Sequence, residues 1–175
     1  IWITPSQLFK GDLRPEVLVR IDIHDARGTP LDEDSPAPSS EWPMHCAIYR
    51  ARPDVGAIIH THAPQATVLG LSGKPFLPIS TESAFLVGPA GDLPRVPFFM
   101  PGTQELARAT VEALGEGAAV LLLNHGLLVA GSDLRRAANM TEGVERTAEV
   151  ILQCYALGPP PAALPDEALA VLRQM

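Results

Sequence analysis

Apolar and polar positions along the chain follow two periods, and prolines and glycines separate the segments that carry them. Residues 17–23 place apolar side chains at every second position, the pattern of a half-buried strand. Residues 56–62 and 118–123 are short, mostly apolar runs bounded by turn residues, which is typical of buried strands. Together the patterns predict strands over residues 1–3, 17–23, 56–62, 78–87, 95–99, 118–123 and 127–130.

Helical spacing of apolar residues predicts longer helices and a short one near the end of the chain. Ser39 or Ser40 is expected to cap the first helix, Thr103 the third and Asp133 the fourth, because such side chains accept hydrogen bonds from first-turn N–H groups. Ala51 and Leu134 are expected on buried helix faces. The predicted helices cover residues 39–52, 64–71, 103–114 and 133–157, with a tail helix after the prolines at 159–161.

The order of these elements predicts a single mixed α/β domain with helices on both faces of the sheet. This domain covers residues 1–158, and residues 159–175 form a proline-rich linker and the short tail helix. Ile1 opens the chain inside a strand pattern, without a methionine or a signal-peptide pattern. We therefore expect the natural chain to begin further upstream, so that the domain lacks its N-terminal segment.

Composition restricts the classes of function without selecting one. The 175 residues are 46 % apolar and 19 % charged, which is typical of a folded globular protein. No apolar run in the sequence approaches the roughly 20 residues of a membrane-spanning helix, and a net charge of −7 disfavours nucleic acid as a partner. Cys46 and Cys154 lack ligand-like spacing and are expected to be reduced thiols in a cytoplasmic protein.

Three of the five histidines lie at the ends of predicted buried strands. His60 and His62 are two positions apart, so their side chains lie on one face of a strand, and His125 follows the apolar run 118–123. Such histidines are either core residues satisfied by hydrogen bonds or ligands of one metal ion. Three neutral nitrogen ligands leave a divalent ion cationic with an open coordination position, which is the catalytic pattern. An ion held in this way polarises a carbonyl and stabilises an enolate or ene-diolate.

Polar residues at the start of the first predicted helix are further candidates. Glu41 is suited to moving a carbon-bound proton, or it is a first-turn acid that complements the helix dipole. Ser39 and Ser40 either bind an anion at the helix N-terminus or only cap the helix. His45 lies one turn beyond Glu41, where it either orients that carboxylate or packs as an ordinary helix residue.

Three motifs carry a resemblance to a known family. Residues 39–45 read SSEWPMH, residues 52–62 read RPDVGAIIHTH and residues 124–126 read NHG. In this order and spacing they resemble the class II aldolase/adducin family, and the resemblance extends from Ile3 through the helix after Gly131. It implies a three-layer α/β/α sandwich around a largely antiparallel mixed sheet. It also implies C4 homotetramers with active sites between subunits.

The resemblance implies a role for each matching residue. His60, His62 and His125 match zinc ligands, with manganese, iron or cobalt as alternative ions, and Glu41 matches the catalytic acid/base. The implied reaction is the reversible cleavage of a ketose 1-phosphate into dihydroxyacetone phosphate and an aldehyde. The residues expected to bind phosphate are Thr4, Ser6, Ser39 and Ser40. The residues expected to support the ligands and Glu41 are His45, Asn124 and Gly126.

Departures from the family pattern leave the substrate open. The family's upstream Gly-Asn-x-Ser loop is absent, and Gln7 replaces a glycine after the Thr-Pro-Ser segment. The tyrosine that the aldolases supply across the subunit interface has no counterpart between residues 78 and 99, where Thr81, Glu82 and Ser83 occupy the corresponding stretch. Glu82 in particular is poorly suited to a phosphate.

Other activities on the same scaffold remain as alternatives. The related ribulose-phosphate 4-epimerases carry aspartate where Glu41 stands, which favours the aldolase side for this chain. The first alternative is a divalent-metal decarboxylase, dehydratase or epimerase. The second is an adducin-like interaction domain without catalysis, whose usual mark is loss of the metal ligands; this sequence keeps all three histidines.

Overall fold

The structure is a computed structural model that describes residues 1–87 and 91–172. The strands are β1 (Trp2–Ile3), β2 (Val19–Arg20), β3 (Ala57–Thr61), β4 (Arg95–Val96), β5 (Ala119–Leu122) and β6 (Gly126–Gly131). The helices are α1 (Trp42–Ala51), α2 (Pro64–Ser72), α3 (Thr81–Ala84), α4 (Gln104–Leu114), α5 (Leu134–Leu157) and α6 (Asp166–Leu172). The chain forms two compact units: unit 1 is Ile1–Pro53 with Phe99–Val111, and unit 2 is Asp54–Phe98 with Glu112–Met175.

Unit 1 is built on a small apolar cluster beside the strand pair β1–β2. The two strands are antiparallel, with Ile3 opposite Val19, and both of these side chains are buried. Ile21 and Cys46 complete the buried cluster, and Trp42 at the start of α1 packs against it. Removal of these apolar side chains from water therefore fixes α1 against the strand pair, at about 25 cal/mol per Å² of apolar surface buried.

Helix α4 begins where its predicted cap residue places it. Thr103 Oγ1 accepts a hydrogen bond from the Leu106 N–H at 3.2 Å, which satisfies a free donor of the first turn. Leu106 and Ala107 are buried, and Thr110 Oγ1 donates to Met44 Sδ of α1 at 3.5 Å. The prediction of a helix capped by Thr103 is confirmed.

Unit 2 contains a four-stranded sheet in the order β3-β6-β5-β4. β3 pairs antiparallel with β6 and β6 antiparallel with β5, whereas β4 runs parallel to β5. Every residue of β5 and β6 is buried, as expected from the continuous apolar run in the sequence. The predicted fold class, a mixed α/β structure with a largely antiparallel mixed sheet, is confirmed.

Helices α2 and α5 cover this sheet with apolar side chains. α5 contacts α2 and both of the strands β3 and β6. Asp133 caps α5 as predicted, because its carboxylate accepts a hydrogen bond from the Arg136 N–H at 2.8 Å. Large buried side chains of this core are Leu69, Phe76, Leu121, Leu127 and Ile151.

The strand predicted over residues 78–87 is wrong, because helix α3 lies there. A reciprocal pair of serines closes its first turn. Ser80 Oγ accepts a hydrogen bond from the Ser83 N–H at 3.2 Å, and Ser83 Oγ accepts one from the Ser80 N–H at 2.8 Å. This local capping chemistry favours a helical turn in a segment whose apolar residues alone fit either conformation.

Two other predicted strands are shorter than expected. The strand over residues 17–23 is reduced to β2, since Pro15–Val17 form a 3-10 turn before it and Ile21 forms only an isolated bridge. The strand over residues 95–99 is reduced to β4, since Pro97 has no N–H to donate to a ladder. In both places proline chemistry overrides the apolar pattern.

Two residues expected on buried helix faces are exposed. Ala51 is the last residue of α1, and Leu134 is the first residue of α5, with 65 % of its surface exposed. Helical spacing continues to the ends of a helix, whereas packing stops where the neighbouring elements stop.

The predicted tail helix is α6, and residues 173–175 of the predicted tail lie outside the described residues. The domain boundary at residue 158 stays a prediction.

Two expectations from composition concern the thiols and the membrane. Cys46 and Cys154 are both free cysteines, and Cys46 is buried. Burial raises the pKa of the Cys46 thiol, which favours the unreactive protonated form. Within residues 1–87 and 91–172, no helix combines the length and the apolar character that crossing a membrane requires.

Candidate metal centre and active site

Three histidines of unit 2 converge on one point. One ligand atom from each of His60, His62 and His125 lies within 4.8 Å of the others. The ring centroids are 5.3 Å apart for His60 and His62, 4.7 Å for His60 and His125, and 5.1 Å for His62 and His125. Residues separated by more than sixty positions in the sequence are therefore brought together by the pairing of β3 with β6.

The sheet positions His60 directly. His60 lies in β3 opposite Leu128 of β6, and its Nδ1 is 3.0 Å from the backbone oxygen of Leu127. The carbonyl oxygen only accepts, so Nδ1 carries the proton and donates, and Nε2 then holds the lone pair that a metal ion requires. A ring nitrogen bonded to a backbone carbonyl is the usual second contact of a metal-binding histidine, because it fixes both tautomer and ring orientation.

A tight turn positions His125. β5 and β6 form a hairpin in which Leu122 pairs with Gly126, and the His125 N–H donates to the Leu122 oxygen at 3.1 Å. Asn124 has a left-handed backbone with φ of 61°, a conformation that asparagine tolerates better than most residues. Asn124 therefore supports the turn through its backbone, which gives a physical content to its predicted supporting role.

Gly126 allows the hairpin to approach the end of β3. A Cβ atom at this position would lie 2.4 Å from the Thr61 backbone oxygen and 3.1 Å from the His62 Cα. Neither neighbour is the flexible end of a side chain, so any larger residue forces the two strands apart. Only glycine fits between the turn that carries His125 and the segment that carries His62.

Replacing Gly126 by alanine is expected to lower the unfolding free energy by at least about 2 kcal/mol and to weaken divalent-metal binding. The added methyl group displaces backbone, and the displacement separates His125 from His62. Thermal unfolding and a cobalt titration measure the two effects. Gly73→Ala is the control, because a Cβ there meets nothing within 4 Å and only the φ of +67° opposes it. Wild-type cobalt affinity in Gly126→Ala would contradict the prediction.

The donor set of this cluster fits a divalent transition-metal ion. Three imidazole nitrogens supply three neutral ligands, and zinc accepts such a set in catalytic sites that keep a further position for water or substrate. Harder ions such as magnesium and calcium prefer oxygen ligands. The assignment of the three histidines as ligands stays a prediction that this geometry supports.

Glu41 lies in unit 1, at the N-terminal cap position of α1, and only 7 % of its surface is exposed. The prediction that Ser39 or Ser40 caps this helix is corrected, because Ser39 Oγ instead accepts a hydrogen bond from the Glu41 N–H at 3.3 Å, in the turn before the helix. Glu41 makes no side-chain capping bond, and within the described residues its buried Oε2 accepts no hydrogen bond. A buried carboxylate oxygen without a donor costs stability, which favours a functional role over capping.

His45 lies one turn further along α1. Burial lowers the pKa of its imidazole to about 4, so the ring is neutral at pH 7. The His45 ring, one turn along α1 from Glu41, therefore adds no positive charge to the surroundings of that carboxylate. The predicted role of His45 in orienting Glu41 stays a prediction.

The residues predicted to bind phosphate lie on two adjacent segments of unit 1. The Ser39 N–H donates to the Thr4 oxygen at 2.9 Å, and the Ser6 N–H donates to the Ala37 oxygen at 2.9 Å. Pro5 and Pro38 form an antiparallel bridge between these bonds. The structure thus brings the Thr4–Pro5–Ser6 segment beside the Ser39–Ser40 segment, and phosphate binding by their hydroxyls stays a prediction.

Sequence reasoning missed a glycine that lies against Ser40. Gly102 has a φ of +76°, and a Cβ on it would lie 2.8 Å from the Ser40 backbone oxygen. The turn of Pro101 and Gly102 therefore approaches the segment predicted to bind phosphate. The Pro-Gly pair was a visible turn signal, but nothing local in the sequence indicates which segment the turn meets.

Gln7 replaces a glycine that the family resemblance led us to expect, and its backbone has a conformation that glycine adopts without strain. The backbone of Gln7 is left-handed with φ of 58°. This conformation brings Cβ close to the following carbonyl oxygen at a cost of roughly 1–2 kcal/mol, which glycine avoids. Gln7 therefore keeps the left-handed turn but adds backbone strain to it.

Replacing Gln7 by glycine is expected to raise the unfolding free energy by about 0.5–1 kcal/mol, because relief of the left-handed strain exceeds the added entropy of the unfolded chain. Urea denaturation measures the change. Gln7→Ala is the matched control: it shortens the side chain but keeps the Cβ, so its stability should stay within about 0.5 kcal/mol of wild type. An equal gain in both variants would assign the effect to the side chain and not to φ.

Comparisons with known proteins bear on the family. Residues 1–152 match the family model described as Class II Aldolase and Adducin N-terminal domain. The chain is 37 % identical over 174 residues to the 5-methylthioribulose-1-phosphate/5-deoxyribulose-1-phosphate aldolase of Rhodospirillum rubrum, and the match covers 98 % of this chain and 75 % of that protein. It is 35 % identical over 156 residues to the 3-oxo-tetronate 4-phosphate decarboxylase of Escherichia coli, covering 85 % of this chain and 68 % of that protein.

The fold also resembles a solved structure of an aldolase. The fold matches that of an L-fuculose 1-phosphate aldolase with a TM-score of 0.86 and 33 % sequence identity, covering 99 % of this chain and 78 % of the other. The resemblance predicted from the three sequence motifs is confirmed. The chain belongs to the class II aldolase and adducin family.

Proposed function

We propose that the protein is a divalent-metal-dependent lyase that cleaves a carbon–carbon bond in a ketose 1-phosphate or a related phosphorylated hydroxy-carbonyl compound. The observation that carries the proposal is the convergence of His60, His62 and His125, whose ligand atoms lie within 4.8 Å of one another. The 37 % identical relative named as a sugar-phosphate aldolase supports the reaction class. The usual mark of an adducin-like interaction domain is loss of the metal ligands, and this chain keeps all three histidines.

The three histidines would hold the ion, with zinc as the expected metal. When bound, a divalent metal supplies Lewis acidity, which stabilises negative charge on substrate oxygens. The bond from His60 Nδ1 to the Leu127 oxygen presents the other ring nitrogen with its lone pair. The hairpin turn and Gly126 bring the His125 ring beside the other two.

We assign the proton transfer on carbon to Glu41. In the cleavage direction the carbon–carbon bond breaks, the aldehyde carbonyl forms as its hydroxyl group loses a proton, and the three-carbon fragment takes up a proton on carbon. The reverse condensation requires a base that removes this carbon-bound proton. A carboxylate performs both steps, and a buried Oε2 that accepts no hydrogen bond within the described residues is suited to them.

The substrate phosphate is assigned to the hydroxyl groups of Thr4, Ser6, Ser39 and Ser40. Hydroxyls and backbone N–H groups are neutral donors, and they bind a phosphate without a lysine or arginine. The bridge between Pro5 and Pro38 supports this assignment, because it draws the two segments that carry the hydroxyls together. The net charge of −7 concerns the whole chain and does not exclude a local site for an anion.

The proposal is tested by incubating the zinc- or cobalt-loaded protein with a panel of ketose 1-phosphates and measuring dihydroxyacetone phosphate. The panel contains the phosphates named for the two aldolase relatives: 5-deoxyribulose 1-phosphate, 5-methylthioribulose 1-phosphate and L-fuculose 1-phosphate. Cleavage of at least one compound, lost on chelation and restored by metal, is the expected result. Absence of cleavage across the panel by metal-loaded protein would overturn the aldolase assignment.

Decarboxylation is the second candidate, because the decarboxylase of Escherichia coli is 35 % identical to this chain. Loss of carbon dioxide from a 3-oxo acid also leaves negative charge on carbon and oxygen, so the same metal and the same proton donor serve it. Release of carbon dioxide from 3-oxo-tetronate 4-phosphate, measured beside the aldolase panel, distinguishes the two activities. A protein that binds no metal even after reconstitution, and that is inactive in both assays, would favour the adducin-like interaction domain.

The family also suggests an assembly for this protein. We infer a cytoplasmic homotetramer with active sites between subunits, as the sequence resemblance implies. Sedimentation velocity of the purified chain measures the number of subunits, and a monomer at micromolar concentration would contradict this inference.

A further inference from the structure

The three histidines are held in place by different means. His60 belongs to the β3–β6 ladder, and His125 lies in the hairpin turn where its N–H bonds to the Leu122 oxygen. His62 lies beyond both, because the ladder ends at Thr61 opposite Leu127 and α2 begins at Pro64. His62 is also the exposed member of the three. Its position therefore depends on how the start of α2 is anchored.

The start of α2 is anchored by a carboxylate from another helix. The residue at its cap position, Ala63, has no side-chain oxygen to accept a hydrogen bond. Glu145 of α5 supplies both acceptors: Oε1 accepts from the Gln65 N–H at 2.8 Å, and Oε2 accepts from the Ala66 N–H at 2.9 Å. Pro64 has no N–H, so these bonds satisfy the two first-turn donors that follow it.

The two hydrogen bonds that Glu145 accepts are strong enough to hold the first turn of α2 in place. A carboxylate that accepts two backbone N–H bonds makes charge-assisted contacts, and its negative charge also complements the positive end of the helix dipole. Ala63 is buried and its oxygen accepts from both the N–H and the Oγ1 of Thr67, so the link between His62 and the helix has little freedom. Displacement of the first turn of α2 is therefore transmitted to His62 through two residues.

We propose that Glu145 is a positioning residue for the metal centre, which fixes His62 by holding the first turn of α2. This inference rests on the metal site of the proposed function. Glu145 touches neither substrate nor metal in this role. It is absent from the motifs that identify the family in this chain, and it lies twenty positions after His125 on α5.

A cobalt titration of the full chain tests the inference, with the visible spectrum of bound cobalt as a second measurement. Glu145→Ala removes both acceptors, and Glu145→Gln keeps one oxygen. We expect cobalt affinity to fall about 10- to 100-fold for the alanine variant, as for other residues that orient ligands, and less for the glutamine variant. The spectrum should change in both variants, since altered placement of His62 changes the coordination geometry.

Asp133→Ala is the matched control. Asp133 is also a carboxylate that caps a helix of unit 2, but it lies beyond the opposite end of β6 from the His125 turn. Its loss should lower the melting temperature and leave cobalt affinity within about twofold of wild type. Should Glu145→Ala fail to fold, the glutamine variant alone carries the comparison.

The outcomes separate this inference from the proposed function. Wild-type affinity and spectrum in a folded Glu145 variant would overturn the positioning role and leave the metal site intact. An equal loss of cobalt affinity in Asp133→Ala would also overturn it, because general destabilisation would then explain the effect. A wild-type chain that binds no cobalt would overturn the metal site and the positioning role together.

Discussion

Replacing His60 by alanine is expected to remove the metal and to lower turnover by at least about 10³-fold. Two remaining imidazoles hold a divalent ion far more weakly than three, and the three-ligand set is the usual one in catalytic zinc sites. Loss of the ion removes several kcal/mol of charge stabilisation in the transition state, and each 1.36 kcal/mol is tenfold in rate. Elemental analysis of protein purified without chelator should give about one ion per chain for wild type and almost none for the variant.

His24→Ala is the matched control for this experiment. His24 is an exposed histidine near a turn of unit 1, so its replacement tests whether any histidine of the chain retains metal nonspecifically. The control should keep wild-type metal content and turnover. Full metal content in His60→Ala, or in a parallel His62→Ala variant, would refute the ligand assignment. Loss of metal in His24→Ala as well would indicate adventitious binding.

The positions of the three histidines were predictable because each depends on a local pattern. The mostly apolar runs around residues 56–62 and 118–123 predict strands, and β3 and β5 are found there. A two-residue spacing places His60 and His62 on one side, and the left-handed Asn124 before His125 ends the second run. The meeting of His125 with His60 and His62 then requires the pairing of β3 with β6, which no local pattern specifies.

The supporting contacts were not predictable, because they join residues that are distant in sequence. Glu145 caps helix α2, which begins at Pro64, 81 positions earlier in the chain. Gly126 fits against Thr61, and Gly102 against Ser40, each through a close approach that no local pattern reports. Because the cap of α2 comes from another helix, the cap position of α2 is occupied by Ala63, which is not one of the usual capping residues.

The incorrect predictions of strands and of the first helix cap share one physical origin. Apolar spacing reports which residues prefer to be buried, whereas backbone hydrogen bonding decides which element they form. Ser80 and Ser83 direct their segment into helix α3, and Pro97 ends β4 early. The cap of α1 shows the same principle, since Ser39 uses its hydroxyl in the turn before the helix and leaves Glu41 at the cap position.

Replacing Glu41 by glutamine is expected to lower turnover about 10²- to 10⁴-fold while the metal content stays at the wild-type level. The amide has nearly the shape of the carboxylate but does not act as a base at neutral pH. The variant should also be at least as stable as wild type, because it removes the charge from a buried group whose Oε2 accepts no hydrogen bond within the described residues. Activity and stability are thus expected to change in opposite directions.

Three measurements on Glu41→Gln separate this role from a structural one: turnover, metal content and melting temperature. Glu33→Gln, an exposed acid of the same unit, is the control and should match wild type in all three. A structural role for Glu41 predicts a lower melting temperature with turnover reduced in proportion, and a ligand role predicts loss of metal. Near-normal turnover would move the acid/base function to another residue. Only loss of turnover with metal and fold retained agrees with a carboxylate that transfers the proton on carbon.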